Sequence, residues 1–256
     1  MVYRKLGENN EGIMVLRKKI KKAIKNAKLR FVDFDKLNKM SKPKFHNSIT
    51  DMFTKTGYCF VHIPKNGGTS VESILYDDKR VGHRTSKEWS ELDPSGFKEW
   101  KKFCIIRDPI DRFLSAFDYL TSGGRNLIDA EVARRYVRSC HNVNDFIESM
   151  REEIVLDNLL KYFHFQPQSE YILSEDNLCM VDRLLSFTNY NADLADFLNI
   201  DSTQVEHKNK TIGERTKREE INQRNLDFLS QIYQKDIKIF TYSETKSDDV
   251  FGDLIM

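Results

Sequence analysis

Lys65, Asn66, Gly67, Gly68, Thr69 and Ser70 stand in a row, and the chemistry such a row can do is anion binding. Paired glycines let the backbone bend and approach a ligand closely. Thr69 and Ser70 bring hydroxyl donors and Lys65 a full positive charge. A helix starting here would add its unpaired N–H groups and the positive end of its dipole. Together these groups suit a phosphate or a sulfate. A Walker-type triphosphate loop places its lysine after the glycines, beside a hydroxyl that holds magnesium. Here the lysine precedes the glycines. Taken alone, the row also reads as a tight turn with a capped helix and an exposed lysine.

A second cluster is Arg107-Asp108-Pro109-Ile110-Asp111-Arg112-Phe113-Leu114-Ser115. Arg112 and Ser115 are three apart and share a helical face. A guanidinium and a hydroxyl converging on one spot suit a phosphate. The rival reading pairs Arg107 or Arg112 with Asp108 or Asp111 in a surface ion network. Two anion sites at one edge would suit a ligand with phosphates at both ends. Transfer to a hydroxyl also needs a base, and histidine is the natural one near neutral pH. The candidates are His46, His62, His83, His141, His164 and His207. His62 lies inside an apolar run and reads as a structural residue, whereas His83 falls between the two clusters.

The elements that must hold these groups are legible nearby. Residues 57–64 form an apolar, β-rich run closed by Pro64, and Thr69 to Leu75 read as a helix start. Thr69 and Glu72 have capping-box spacing. Phe103 to Ile106 form a second apolar run, which ends at Arg107. Asp108 suits a helix cap and Pro109 the first helical position. Phe113, Leu114, Phe117 and Leu120 give the following helix an apolar face. Two strand-turn-helix units predict a parallel sheet with helices packed on it, with ligands bound at the carboxyl ends of its strands. Further helices are expected over 143–150, 171–173, 192–198 and 219–240, and another core strand over 180–187. The ends, before about Ser48 and after Ser243, read as weakly tied to the core.

These motifs resemble the sulfotransferases that use 3′-phosphoadenosine 5′-phosphosulfate (PAPS), and most closely the carbohydrate and heparan sulfate O-sulfotransferase branch. The resemblance rests on Pro-Lys-Asn-Gly-Gly-Thr-Ser and on Ile-Arg-Asp-Pro-Ile-Asp-Arg-Phe-Leu-Ser-Ala-Phe. It implies an α/β fold: a P-loop-like parallel sheet flanked by helices, as a single domain with helical additions. It implies that Lys65 to Ser70 hold the 5′-phosphosulfate and that Arg107 and Ser115 hold the 3′-phosphate. It makes His83 the base, with His164 second, and Lys65 the group that stabilises charge on the leaving nucleotide. His164-Phe165-Gln166-Pro167-Gln168 is similar to a segment of that branch, and His207 to Thr211, with Lys210 and Thr211, to a late loop that closes over the donor. Thr188 replaces an acid usual at its position. His164 and Arg84 are candidates for contact with the acceptor.

The implied reaction is in-line transfer of a sulfuryl group from PAPS to a hydroxyl, with a carbohydrate expected as acceptor. Adenosine 3′,5′-bisphosphate is then the product, and no metal is expected, because the lysine supplies the charge. A nucleotide-dependent kinase on a similar sheet edge, or a non-catalytic nucleotide-binding module, are the alternatives. The implied division is a basic helical extension over 1–50, a sulfotransferase domain over 51–245 and a tail over 246–256.

Composition narrows the remaining choices. The 256 residues carry 41 basic and 39 acidic side chains, so any anion site must be local and no nucleic-acid footprint is expected. No run approaches the roughly 18 apolar residues of a membrane span, and no apolar signal core follows Met1. With Cys59, Cys104, Cys140 and Cys179 read as reduced thiols, the expectation is a soluble, cytoplasmic protein. Residues 14–31 set Val15, Ile20, Ile24 and Leu29 among lysines at helical spacing. Such a basic amphipathic helix is either a solvated helix packed by one stripe or an attachment to a membrane surface or an acidic partner.

Overall fold

The structure is a computed structural model, and it describes residues 15, 28–30, 32–41, 47–205 and 215–245. Most of the basic stretch over 14–31, the Lys210–Thr211 pair and the tail lie outside the described residues. Three strands form one sheet in the order β1-β2-β3. They are β1 Tyr58–Phe60, β2 Lys101–Ile106 and β3 Arg183–Ser186. Both pairings are parallel, with Phe60 opposite Phe103 and Ile106 opposite Ser186. The expected sheet is therefore present, with β1 and β3 shorter than their apolar runs suggest and β2 longer, starting at Lys101. Past Phe60 the chain keeps one ladder bond, from Val61 N–H to the Phe103 carbonyl (2.9 Å), before it turns into the loop.

Helices α1 Phe34–Ser41 and α2 Asn47–Thr56 precede the sheet. Between β1 and β2 run α3 Gly68–Tyr76, α4 Ser86–Leu92 and α5 Pro94–Glu99. After β2 come α6 Pro109–Thr121, α7 Leu127–Val132, α8 Val143–Ser149, α9 Glu153–Lys161 and α10 Ser169–Ile172. After β3 come α11 Tyr190–Leu198, α12 Gln223–Ile232 and α13 Gln234–Thr245. The expected continuous helix over 219–240 is broken, with a short 3₁₀ turn at Arg218–Glu220 and a junction at Tyr233. Among the described residues, no helix is long and apolar enough to cross a membrane.

Two apolar clusters make up the core. One surrounds the sheet and includes Phe60, Trp89, Phe103, Ile105 and Tyr190. The other surrounds the apolar face of α6 and includes Phe113, Phe117, Phe146, Phe165 and Tyr233. The segment before Ser48, expected to be loosely held, contributes Leu29, Phe34 and Leu37 to the second cluster. Arg135 fastens it by donating to the Leu29 and Val32 carbonyls at 2.8 and 2.7 Å. Apolar residues that bury their side chains gain about 1.5–3 kcal/mol each, which overrides a polar local composition.

The chain leaves all three strands at the same edge of the sheet, into the loops at Lys65, Arg107 and Phe187. That edge, between the two apolar clusters, is where an open parallel sheet binds ligands.

Candidate active site

The first loop joins β1 to α3 and takes the strained backbone its glycines foretell. Gly67 has φ 79° and Lys65, unusually for a side-chain-bearing residue, φ 74°. Gly67 caps α3 without a side-chain bond, so the Thr69–Glu72 capping box expected from spacing does not form. Glu72 turns inward instead. It bonds His62 Nδ1 at 3.0 Å, Arg80 Nη1 at 2.6 Å and the Val81 N–H at 3.0 Å. Burial works against its charge, but the bonds from His62 and Arg80 outweigh it and hold its carboxyl below the usual range. Arg80 also donates to Thr69 Oγ1 at 3.0 Å, which ties the loop hydroxyl to the same network. Among the described residues, the N–H groups of Gly67, Gly68 and Thr69 make no hydrogen bond. They are the donors that a helix start leaves for an anion.

His62 lies directly beneath this loop. A Cβ added at Gly68 would stand 2.3 Å from the His62 ring, so glycine is required there by space. Gly67 is pressed by Tyr190, whose hydroxyl donates to the Gly67 carbonyl at 3.0 Å. Ser70 is buried.

Lys65 holds its ammonium 4.3 Å from the centre of the Tyr119 ring, a cation–π contact. Burial, then the neighbouring charges of Arg107 and Arg125, lower its pKa to about 8. The Tyr119 hydroxyl donates to Asp129, which also accepts from Tyr162 and, at 2.7 Å, from Asn126 Nδ2. The lysine thus rests on a ring fixed from behind by a buried carboxylate.

The second loop opens α6 as the sequence predicts. Asp108 accepts from the Ile110 and Asp111 N–H groups at 2.9 and 3.0 Å, with Pro109 in the first turn. Its outward partner is Arg218, at 3.1 Å. Arg107 donates to the Lys65 carbonyl at 3.0 Å and lies 4.6 Å from the Phe187 ring centre, so it bridges the two loops. Burial lowers its pKa from the usual arginine value. Ser115 is half-buried on α6, and among the described residues its hydroxyl makes no hydrogen bond.

The expected convergence of Arg112 with Ser115 is not found. Arg112 is only 2% exposed and points into the interior, away from any ligand. It donates to the carbonyls of Pro64 (3.0 Å), Gln166 (2.9 Å) and Phe163 (3.3 Å). A guanidinium has five donors in a fixed fork, and here they serve as a clamp between the first loop and the 163–166 segment.

His83 reaches the site between Gly82, at φ 80°, and a true capping box at Thr85 and Glu88. Its Nδ1 lies 3.1 Å from the His62 carbonyl, and its ring stacks on Phe163 at 5.1 Å. A carbonyl only accepts, so Nδ1 carries the proton and Nε2 keeps its lone pair. Burial and the neighbouring His62 push its pKa down to about 3, so the ring is neutral at any ordinary pH. His164 differs. It is 6% exposed, and both ring nitrogens are buried without a hydrogen bond among the described residues, Nε2 standing 4.0 Å from Asp129 Oδ1. Burial and Lys65 hold it well below the usual histidine value. The structure brings the Lys65–Ser70 loop and Arg107 together at one sheet edge with His83 beside His62, Ser115 lies further along α6, and His164 is sealed beside Tyr119 and Phe163. Arg84 stacks 5.7 Å from the Trp89 ring. Gln168 and Asp236 carry no local signal of their roles here, because their partners lie 61 to 102 residues away in sequence.

A comparison with protein-family models matches residues 47–243 to the family described as Sulfotransferase family. No curated protein and no solved structure matches the chain.

Proposed function

The chain belongs to the sulfotransferase family, and on that premise we propose that it moves a sulfuryl group from PAPS to a hydroxyl of a carbohydrate acceptor. The observation that carries this reading is the direct bond between the two anion loops, Arg107 to the Lys65 carbonyl at 3.0 Å, with His83 beside His62 and its Nε2 making no hydrogen bond among the described residues. The first loop offers free N–H groups and a cation. The second offers Arg107 and the Ser115 hydroxyl. A donor with a phosphosulfate at one end and a phosphate at the other matches that pair of sites.

In this reading the loop N–H groups of Gly67 to Thr69 hold the sulfuryl oxygens. His83 Nε2 takes the proton of the acceptor hydroxyl as the new O–S bond forms. The bridging S–O bond breaks with its electron pair going to the nucleotide phosphate, and Lys65 stabilises that charge. Adenosine 3′,5′-bisphosphate leaves. Positioning and fixed charge do the work, as they do in phosphoryl transfer. Lys210 and Thr211 are proposed to close over the donor.

Thermal unfolding with added nucleotides tests the reading, since a ligand at about 100 times its Kd stabilises the fold by about 2.7 kcal/mol. PAPS and adenosine 3′,5′-bisphosphate are expected to raise the melting temperature, and ATP to have little effect. Protection by ATP alone would point to a kinase and sink the proposal.

A further inference from the structure

Gln168 is completely buried, and its side-chain amide lies between the two anion loops. Its Oε1 accepts from Asn66 Nδ2 at 2.6 Å and from the Arg107 N–H at 3.1 Å. Its Nε2 donates to the Arg107 carbonyl at 2.8 Å. One amide therefore meets both backbone groups of Arg107, which fixes which atom is oxygen without reference to hydrogen positions. The same logic fixes Asn66, whose Nδ2 also donates to the Ile105 carbonyl at 2.6 Å. The loop residue Asn66, the end of β2 and the residue that opens the second loop are thus joined through a single side chain.

Gln168 is itself held from outside. Asp236, buried on α13, accepts from the N–H groups of Gln168 (2.6 Å) and Ser169 (2.9 Å). Arg112 holds the preceding residues by the Phe163 and Gln166 carbonyls and the first loop by the Pro64 carbonyl. The segment 163–169 is a strap, pinned by α6 on one side and α13 on the other, that carries the amide into the gap between the loops.

We infer that Gln168 is a positioning residue that sets the spacing of the two anion sites, and so determines the preference for a nucleotide with phosphates at both ends. The inference rests on the donor reading above. A ligand held at both ends gains because the second contact is intramolecular, and that gain survives only while the two sites keep a matched separation. Each single-phosphate contact depends on its own loop. Loss of the amide should therefore weaken two-point binding much more than either one-point binding.

The experiment measures binding of three probes, adenosine 3′,5′-bisphosphate, adenosine 5′-monophosphate and adenosine 3′-monophosphate, by calorimetry. Wild type, Gln168→Leu and Gln168→Glu are compared, with thermal melts as the folding control. The glutamate is isosteric and keeps the acceptor for Asn66 and the Arg107 N–H, so it remains informative if the leucine variant does not fold. Wild type should prefer the bisphosphate. Gln168→Leu should weaken bisphosphate binding by roughly tenfold or more while each monophosphate changes by less than about threefold, with Gln168→Glu between. Equal losses on all three probes in folded variants would overturn the positioning role alone. A wild type with no preference for the bisphosphate would overturn the donor reading, and this inference with it.

Discussion

Raising the pH should switch the enzyme off through Lys65. Only the ammonium form can stabilise charge on a leaving oxygen, and burial with Arg107 and Arg125 lowers the Lys65 pKa from 10.5 to about 8. In the free enzyme the active fraction is then half at about pH 8 and about one-tenth at pH 9, so kcat/KM should fall about tenfold per unit above that point. The limb in kcat should lie higher, because a bound phosphosulfate favours the charged amine. No rise or fall near the usual histidine range is expected, since His83 is pushed down to about 3 and stays neutral. Unfolding would not mimic this loss. Between about pH 8 and the unfolded lysine value near 10.4, the unfolded chain holds a proton that folded Lys65 has released, so this group adds stability as pH rises. Lys65→Arg, always charged, should run slower from altered geometry but lose the alkaline limb. Initial rates at limiting donor, from about pH 6 to about pH 10, read the result. A wild-type profile flat through that range, or an unchanged limb in Lys65→Arg, would refute the assignment.

Other substitutions separate the parts of the site. His83→Ala should abolish transfer yet leave adenosine 3′,5′-bisphosphate affinity within about twofold by calorimetry, because the ring contacts the His62 carbonyl, the His62 ring and the Phe163 ring, none of which holds the donor in this reading. Gly68→Ala should collide with the buried His62 ring, cost about 1–3 kcal/mol in denaturant unfolding and weaken nucleotide binding. Arg112→Met leaves the Pro64, Gln166 and Phe163 carbonyls buried without their donor, at about 1–3 kcal/mol each, so its melting temperature should fall sharply before any assay of turnover.

What could be read in advance was what is local. Asp108 and Pro109 open α6 as their types require, and Gly67 and Gly68 bend where a helix start must leave donors for an anion. The parallel sheet followed from two strand-turn-helix units. Structure departs from local pattern where a partner more distant in sequence outcompetes a near one. Glu72 had the spacing to cap α3 but found the His62 ring nitrogen and the Arg80 guanidinium, a pair of bonds worth more to a buried carboxylate. Arg112 had the spacing to meet Ser115, but three carbonyls around the strap claimed its guanidinium. Gln168 lies 61 residues from Arg107 and 102 from Asn66, and Asp236 lies 68 from Gln168, so no window of the chain could pair them. Leu29 belongs to the apolar stripe legible over 14–31, but that Phe34 and Leu37 join it in the second cluster shows only in the packed structure.

Sulfuryl transfer to a hydroxyl at this sheet edge is tested most directly by incubating the protein with PAPS carrying labelled sulfate and a panel of glycans, phenols and lipids, beside His83→Ala as control. Label should pass from donor to a hydroxyl of a glycan with wild type and not with the variant, while both retain adenosine 3′,5′-bisphosphate binding. Label passing only to phenols or lipids would overturn the carbohydrate acceptor, and transfer to none by a protein that binds PAPS would contradict the account.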